Sequence, residues 1–118
     1  MLRPKTTRHF RKNWRLRTPY PLQDFARLWS QCHVLTTLEF PHDSPFLEIS
    51  RSRRLTIYAL HHQWVLFATG TAHTQVNHRT LITIWPWAWW PPFEEAVRHN
   101  NYWEWVLHSS PVLDKLSP

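Results

Sequence analysis

The 118-residue chain is predicted to fold as α+β, with an N-terminal helix, a four- to five-stranded antiparallel meander sheet and a C-terminal helix packed on one face. Three observations predict this class. Apolar residues recur at helical spacing near both ends of the chain and at alternating spacing between them. The alternating segments are rich in Ile, Val, Thr, Tyr, Phe and Trp. Their connections are too short for the crossovers that parallel strands need, so antiparallel neighbours follow.

Taken in order, residues 1–20 read as a basic N-terminal arm and residues 21–118 as a single α+β domain. As a helix, the arm places Phe10 and Trp14 on one face at i, i+4, with Arg8, Arg11, Lys12 and Arg15 opposite. Tyr20 between Pro19 and Pro21 breaks the chain there. Pro21 suits a first helical turn, and Leu22, Phe25, Leu28, Trp29 and Cys32 form an apolar stripe, so residues 21–32 are predicted as an amphipathic helix. The period then changes. Val34, Thr36, Leu38 and Phe40 fall on one side of a predicted strand over 33–40, which Pro41 ends. Further strands are expected at 46–50, 55–60, 63–69 and 79–85. Leu55, Ile57 and Ala59 make one fully apolar face, while Thr56, Tyr58 and Leu60 make a mixed one.

Trp85 to Pro92 reads as an extended, polyproline-like turn that packs its indoles where the sheet ends, because its three prolines oppose a central strand or helix interior. Pro92 opens the second helix, with Phe93, Ala96, Val97, Trp103, Val106 and Leu107 as its apolar positions. Ser109-Ser110-Pro111 stops it.

Composition narrows the function classes. Hydrophobic residues are 42% and charged residues 19%, a globular balance. No apolar run approaches the roughly 20 residues of a membrane-spanning helix. Cys32 is the single cysteine, so no intrachain disulfide forms, and Arg3 and Lys5 interrupt any secretory leader. A cytoplasmic location is expected, although an Arg-rich, acid-free start also has the charge of an organelle transit peptide. Nine Trp, nine His and ten Pro accompany one glycine, Gly70. Turns must therefore be built from Asn, His, Ser and Pro. This bias fits a young or overprinted reading frame, such as a viral or mobile-element accessory gene.

Charge is asymmetric. Seven of the 14 Lys and Arg lie within residues 1–17, and no acid precedes Asp24. The rest of the chain holds seven bases against eight acids. This pattern implies a small nucleic-acid-contacting protein, RNA in preference to DNA. Arg8, Arg11, Lys12, Arg15 and Arg17, with Arg51, Arg53 and Arg54 on one turn, would meet phosphates, and Trp14 would stack on a base. An alternative is a protein-interaction module, with a homo-oligomer among its possible assemblies, anchored by Trp87, Trp89, Trp90 and Trp105. A second alternative is a small ribonuclease toxin working through His61, His62, His73 and His78.

Other chemistry finds little footing. One Cys with no C-x-x-C or H-E-x-x-H gives no metal set. Cys32-His33 and His42-Asp43-Ser44 hold catalytic residue types as sequence neighbours, which cannot face one another as a relay requires. A single glycine makes no phosphate-cradling loop, so no cofactor, metal or catalytic residue is assigned.

Overall fold

The structure, a computed structural model, describes residues 3–39, 54–70 and 74–99. Its centre is a five-stranded sheet in the order β1-β5-β4-β3-β2. The strands are β1 (Lys5–Thr6), β2 (Cys32–Glu39), β3 (Arg54–Leu60), β4 (Trp64–Thr69) and β5 (Thr80–Pro86). The helices are α1 (Arg8–Arg17), α2 (Phe25–Trp29) and α3 (Trp90–Arg98). Single 3-10 turns lie at Leu22–Asp24, Val76–His78 and Trp87–Trp89. The class is α+β, with a helix near the C-terminal end of the described chain.

β3 and β4 are buried on both faces, and this dictates the layers. Leu55 through Leu60 and Trp64 through Ala68 are all buried. Side chains in a strand alternate, so such a strand needs cover above and below. On one face, Tyr58, Leu60, Trp64, Leu66, Ala68, Leu81 and Ile84 meet Phe10 and Trp14 of α1 and Phe25, Leu28 and Trp29 of α2. On the other, Leu55, Ile57, Val65, Phe67, Ile82 and Trp85 meet Trp90 and Phe93 of α3. The result is a helix–sheet–helix sandwich, where alternation alone indicated one apolar and one mixed face.

The sheet is mixed rather than a pure antiparallel meander. β1 pairs in parallel with β5, with Lys5 opposite Thr80 and Thr6 opposite Leu81. The other three pairings are antiparallel. Two residues are too few to show alternation, so β1 carries no strand signal of its own. It forms because Lys5 N–H donates to the Arg79 carbonyl (2.9 Å) and Thr7 N–H to the Leu81 carbonyl (3.1 Å). Everything from α1 to β4 acts as the crossover between the two parallel strands.

Residues 3–17, which lie within the basic arm expected over 1–20, supply this edge strand and α1. Thr7 caps α1, its hydroxyl accepting from Phe10 N–H at 3.0 Å. At the other end the Thr18 hydroxyl and N–H both donate to the Trp14 carbonyl, at 2.9 and 3.0 Å. Phe10 and Trp14 share a face as their spacing predicts, and both are fully buried. Trp14 Nε1 donates to the Tyr20 carbonyl at 3.0 Å. Its ring meets Phe25 edge-on at 5.5 Å, and Tyr20 in turn meets Trp64 at 5.6 Å.

Three local expectations are corrected. The helix predicted over 21–32 is a 3-10 turn followed by the five-residue α2. The Gln31 N–H bonds to the Leu28 carbonyl and closes the turn, which frees Cys32 to start β2. In β2 a bulge between Val34 and Thr36 changes the alternation. Leu35 and Leu38 consequently pack on the α3 side, and Val34 is left 54% exposed. Finally, 85–92 is not an extended turn: Trp85 ends buried in β5, Trp87–Trp89 is a 3-10 turn, and α3 begins at Trp90. Pro91 and Pro92 occupy the first helical turn, where their missing N–H groups cost nothing.

The turn chemistry follows the glycine shortage. His61 and His62, between β3 and β4, hold φ of 55° and 53°, a left-handed conformation that Asn or Gly usually supplies. Gly70 has φ of 104°, and a Cβ there would sit 3.1 Å from Thr74. The one glycine is thus spent where a side chain would be both strained and crowded. The expected strand over 46–50 and the expected helix beyond 99 lie outside the described residues.

Trp14→Ala removes a fully buried ring from the centre of one layer and should cost about 3–5 kcal/mol in urea unfolding, a large share of a small domain's stability. An unchanged midpoint would contradict the docking of α1. Burial pushes the Cys32 thiol up to about 12. Its unfolded counterpart ionises near 9, so the folded state holds the extra proton between those values and stability falls as pH rises through that window. Cys32→Ala should show a shallower decline above pH 9 than the parent chain, measured by urea midpoints.

Candidate nucleic-acid interface

α1 is anchored by its inner face, so its outer face has a fixed orientation. Arg8, Lys12 and Arg15 are exposed and Arg11 is half-buried, while Phe10, Asn13 and Trp14 face inward. These four cations lie at i, i+3, i+4 and i+7, along a helix about 15 Å long. Among the described residues, none of the four has a carboxylate within ion-pair distance; the ion pairs there join Arg27 to Asp24, Arg54 to Glu39, Arg98 to Glu94 and His99 to Glu95. Like charges at these spacings cost a few tenths of a kcal/mol per pair. Burial of Phe10 and Trp14 outweighs that repulsion and leaves a concentrated positive stripe.

Arg17 has a different role. Its guanidinium donates to the Ile84 carbonyl of β5 and stacks over the Trp89 ring at 5.1 Å. Burial holds its pKa down at about 10. The Arg17 carbonyl accepts from Trp64 Nε1 at 3.0 Å. Arg17 therefore ties α1 to the sheet at the corner where Trp87 and Trp89 sit. Both indoles are partly exposed, and Trp87 N–H donates to the Gln63 carbonyl at 2.9 Å, locking the corner to the β3–β4 turn. His62 meets the Trp87 ring at 5.3 Å and the His33 ring at 5.6 Å. A row of aromatic rings thus continues from the C-terminal end of the α1 stripe.

At the other end of α1 there is an open cleft of about 440 Å³ between β1, α1 and the Leu22–Asp24 turn. Arg3, Lys5 and Arg11 line it, with Thr6, Gln23 and Phe25. One nitrogen of Arg11 is already committed, donating to the Thr6 carbonyl (2.7 Å) and hydroxyl (3.0 Å). No residue pattern announces this cleft, because it depends on β1 reaching the far edge of the sheet.

The remaining anticipated residues divide. Trp14 is fully buried and cannot stack on a base. Trp90 is 3% exposed against Phe67 and Phe93, so it serves the core and offers no anchor to a partner. Arg54 opens β3 and pairs with Glu39 across β2 at 3.7 Å. Arg51, Arg53, His73 and Trp105 lie outside the described residues. His61 contacts Gln31, and His78 is exposed at the end of its 3-10 turn, remote in sequence from the His62 ring stack. Among the described residues no three His, Cys, Asp or Glu side chains gather in a way that could hold a metal ion, and no helix is long and apolar enough to cross a membrane.

Sequence reasoning missed one buried cation. Arg79, 6% exposed, donates through Nε to the Thr74 carbonyl at 3.1 Å and through another guanidinium nitrogen to the Tyr58 hydroxyl. It holds the Val76–His78 turn against β3, at the start of the strand that pairs with β1. The signal was present as a lone arginine heading an apolar strand, though a strand terminus gives no reason to expect burial. Arg79→Ala removes the bonds to the Thr74 carbonyl and the Tyr58 hydroxyl together with a buried side chain, and should destabilise the fold by about 2–4 kcal/mol in urea unfolding; a neutral result would contradict this structural role. Comparison of the chain with protein-family models, curated protein sequences and solved structures yields no match.

Proposed function

We propose that the protein binds single-stranded nucleic acid, RNA in preference to DNA, along the outer face of α1. The observation that carries this reading is the uncompensated stripe of Arg8, Arg11, Lys12 and Arg15 on a helix anchored by its opposite face. Anchoring matters. A cation held on a packed helix loses less freedom on meeting a phosphate than one on a solvated tail. Phosphates would lie along the stripe, and bases would stack on Trp87 and Trp89 at its C-terminal end, where Arg17 already lies over the Trp89 ring. The same two indoles would anchor a protein partner instead under the interaction-module alternative. The salt dependence separates the two, since an indole anchor releases no counterions.

The test is fluorescence anisotropy with a labelled unstructured RNA 12-mer over 50–200 mM salt. The reading predicts an affinity that falls steeply with salt. A triple Arg8→Gln, Lys12→Gln, Arg15→Gln variant should bind at least about tenfold more weakly, with a log–log salt slope shallower by about 2, from roughly 0.7 per lost contact. Salt-independent binding, or a triple variant equal to the parent, would overturn it.

A further inference from the structure

We infer that the cleft beside β1 is a second binding site that receives the terminal phosphate of the strand lying on α1, an inference that rests on the reading above. Three features of the cleft point to a phosphomonoester. The first is its charge. Arg3, Lys5 and Arg11 all line it, and no acidic side chain does. None of the three forms an ion pair among the described residues. A monoester approaches two negative charges at neutral pH, whereas an internal diester carries one, so a site with three cations favours the end of a strand over its middle.

The second feature is preorganisation. Two hydrogen bonds to Thr6 fix one nitrogen of the Arg11 guanidinium, leaving its Nε and second terminal nitrogen available as donors. A planar, prepositioned fork suits phosphate oxygens and gives up little rotamer entropy on binding. Thr6 itself is held by the β1–β5 pairing, so the fork is referenced to the sheet.

The third is size and lining. About 440 Å³ is in the range of small-molecule sites and exceeds what an isolated inorganic anion fills. Leu22, Phe25, Ala26 and Pro4 supply an apolar wall beside the cations. A terminal nucleotide offers both parts, a charged phosphate and a base or sugar with an apolar face. Arg11 also belongs to the α1 stripe, so the cleft and the stripe are continuous. A strand on Arg15, Lys12 and Arg8 would arrive with its end at the cleft.

The experiment compares three labelled RNA 12-mers of one sequence at one salt concentration: 5′-phosphorylated, 3′-phosphorylated and unphosphorylated. At least one phosphorylated strand should bind about tenfold or more tightly than the unphosphorylated one, the gain expected of new charge-assisted hydrogen bonds. Arg3→Gln with Lys5→Gln, residues outside the α1 stripe, should abolish that preference. Both substitutions are at exposed positions, and retained binding of the unphosphorylated strand serves as the folding control. Equal affinity for all three strands, still salt-dependent, overturns the cleft site and leaves the α1 reading standing. So does a preference that survives the double substitution. Failure of every strand to bind overturns both.

Discussion

Eleven buried positions on β3 and β4, Leu55 to Leu60 and Trp64 to Ala68, leave neither face of these strands to solvent and impose a demand that the rest of the chain must meet. A central strand buried on both faces needs two covering layers, and a chain of 118 residues has few segments to provide them. One layer comes from α3, through Trp90 and Phe93. The other comes from α1 and α2, and α1 lies within residues 1–17, which hold seven of the 14 Lys and Arg. Phe10 and Trp14 are thus pressed into the core by the sheet's requirement, and Arg8, Arg11, Lys12 and Arg15 are turned outward by the same helix geometry. Packing and charge presentation are two faces of one helix.

That coupling explains why the N-terminal segment does more than a tail could. A cationic tail is screened within about 10 Å at ordinary salt and spends rotamer freedom on each contact. The same cations on a docked helix form a stripe with defined spacing, bounded by the β1 cleft at one end and the Trp87–Trp89 corner at the other. Arg17 marks where surface function gives way to structure. Although one of the arginines of the basic segment, it is half-withdrawn to hold the Ile84 carbonyl and the Trp89 ring. Burial costs it charge stability, which shows in its lowered pKa.

Much of this was legible in the sequence wherever a segment has a period. The pairing of Phe10 with Trp14, the strands near 55–60, 63–69 and 79–85, and a helix carrying Phe93 all follow from spacing, and so do turns made without glycine. What spacing could not show was partnership. Leu55, Ile57 and Ala59 alternating with Thr56, Tyr58 and Leu60 along β3 look like one buried face and one mixed face until a second layer is known to exist. Two-residue β1 has no pattern at all, so neither the parallel edge nor the cleft beside it was visible. The bulge at Val34–Thr36 breaks an alternation that reads cleanly on paper. Tryptophans in a proline-framed cluster resemble an exposed patch, but Trp85 and Trp90 became core because Pro91 and Pro92 start a helix that folds back over the sheet. The candidate site was readable in its charges and unreadable in its geometry.

The helix presenting the cations belongs to the same cooperative unit as the sheet. Native-state hydrogen exchange measures this coupling amide by amide. Amides in the second half of α1, from Asn13 to Arg17, should exchange only through the opening that also exposes β4, with matching free energies and denaturant dependence. Exchange of these α1 amides through a separate, low-energy opening while β4 stays protected would contradict it.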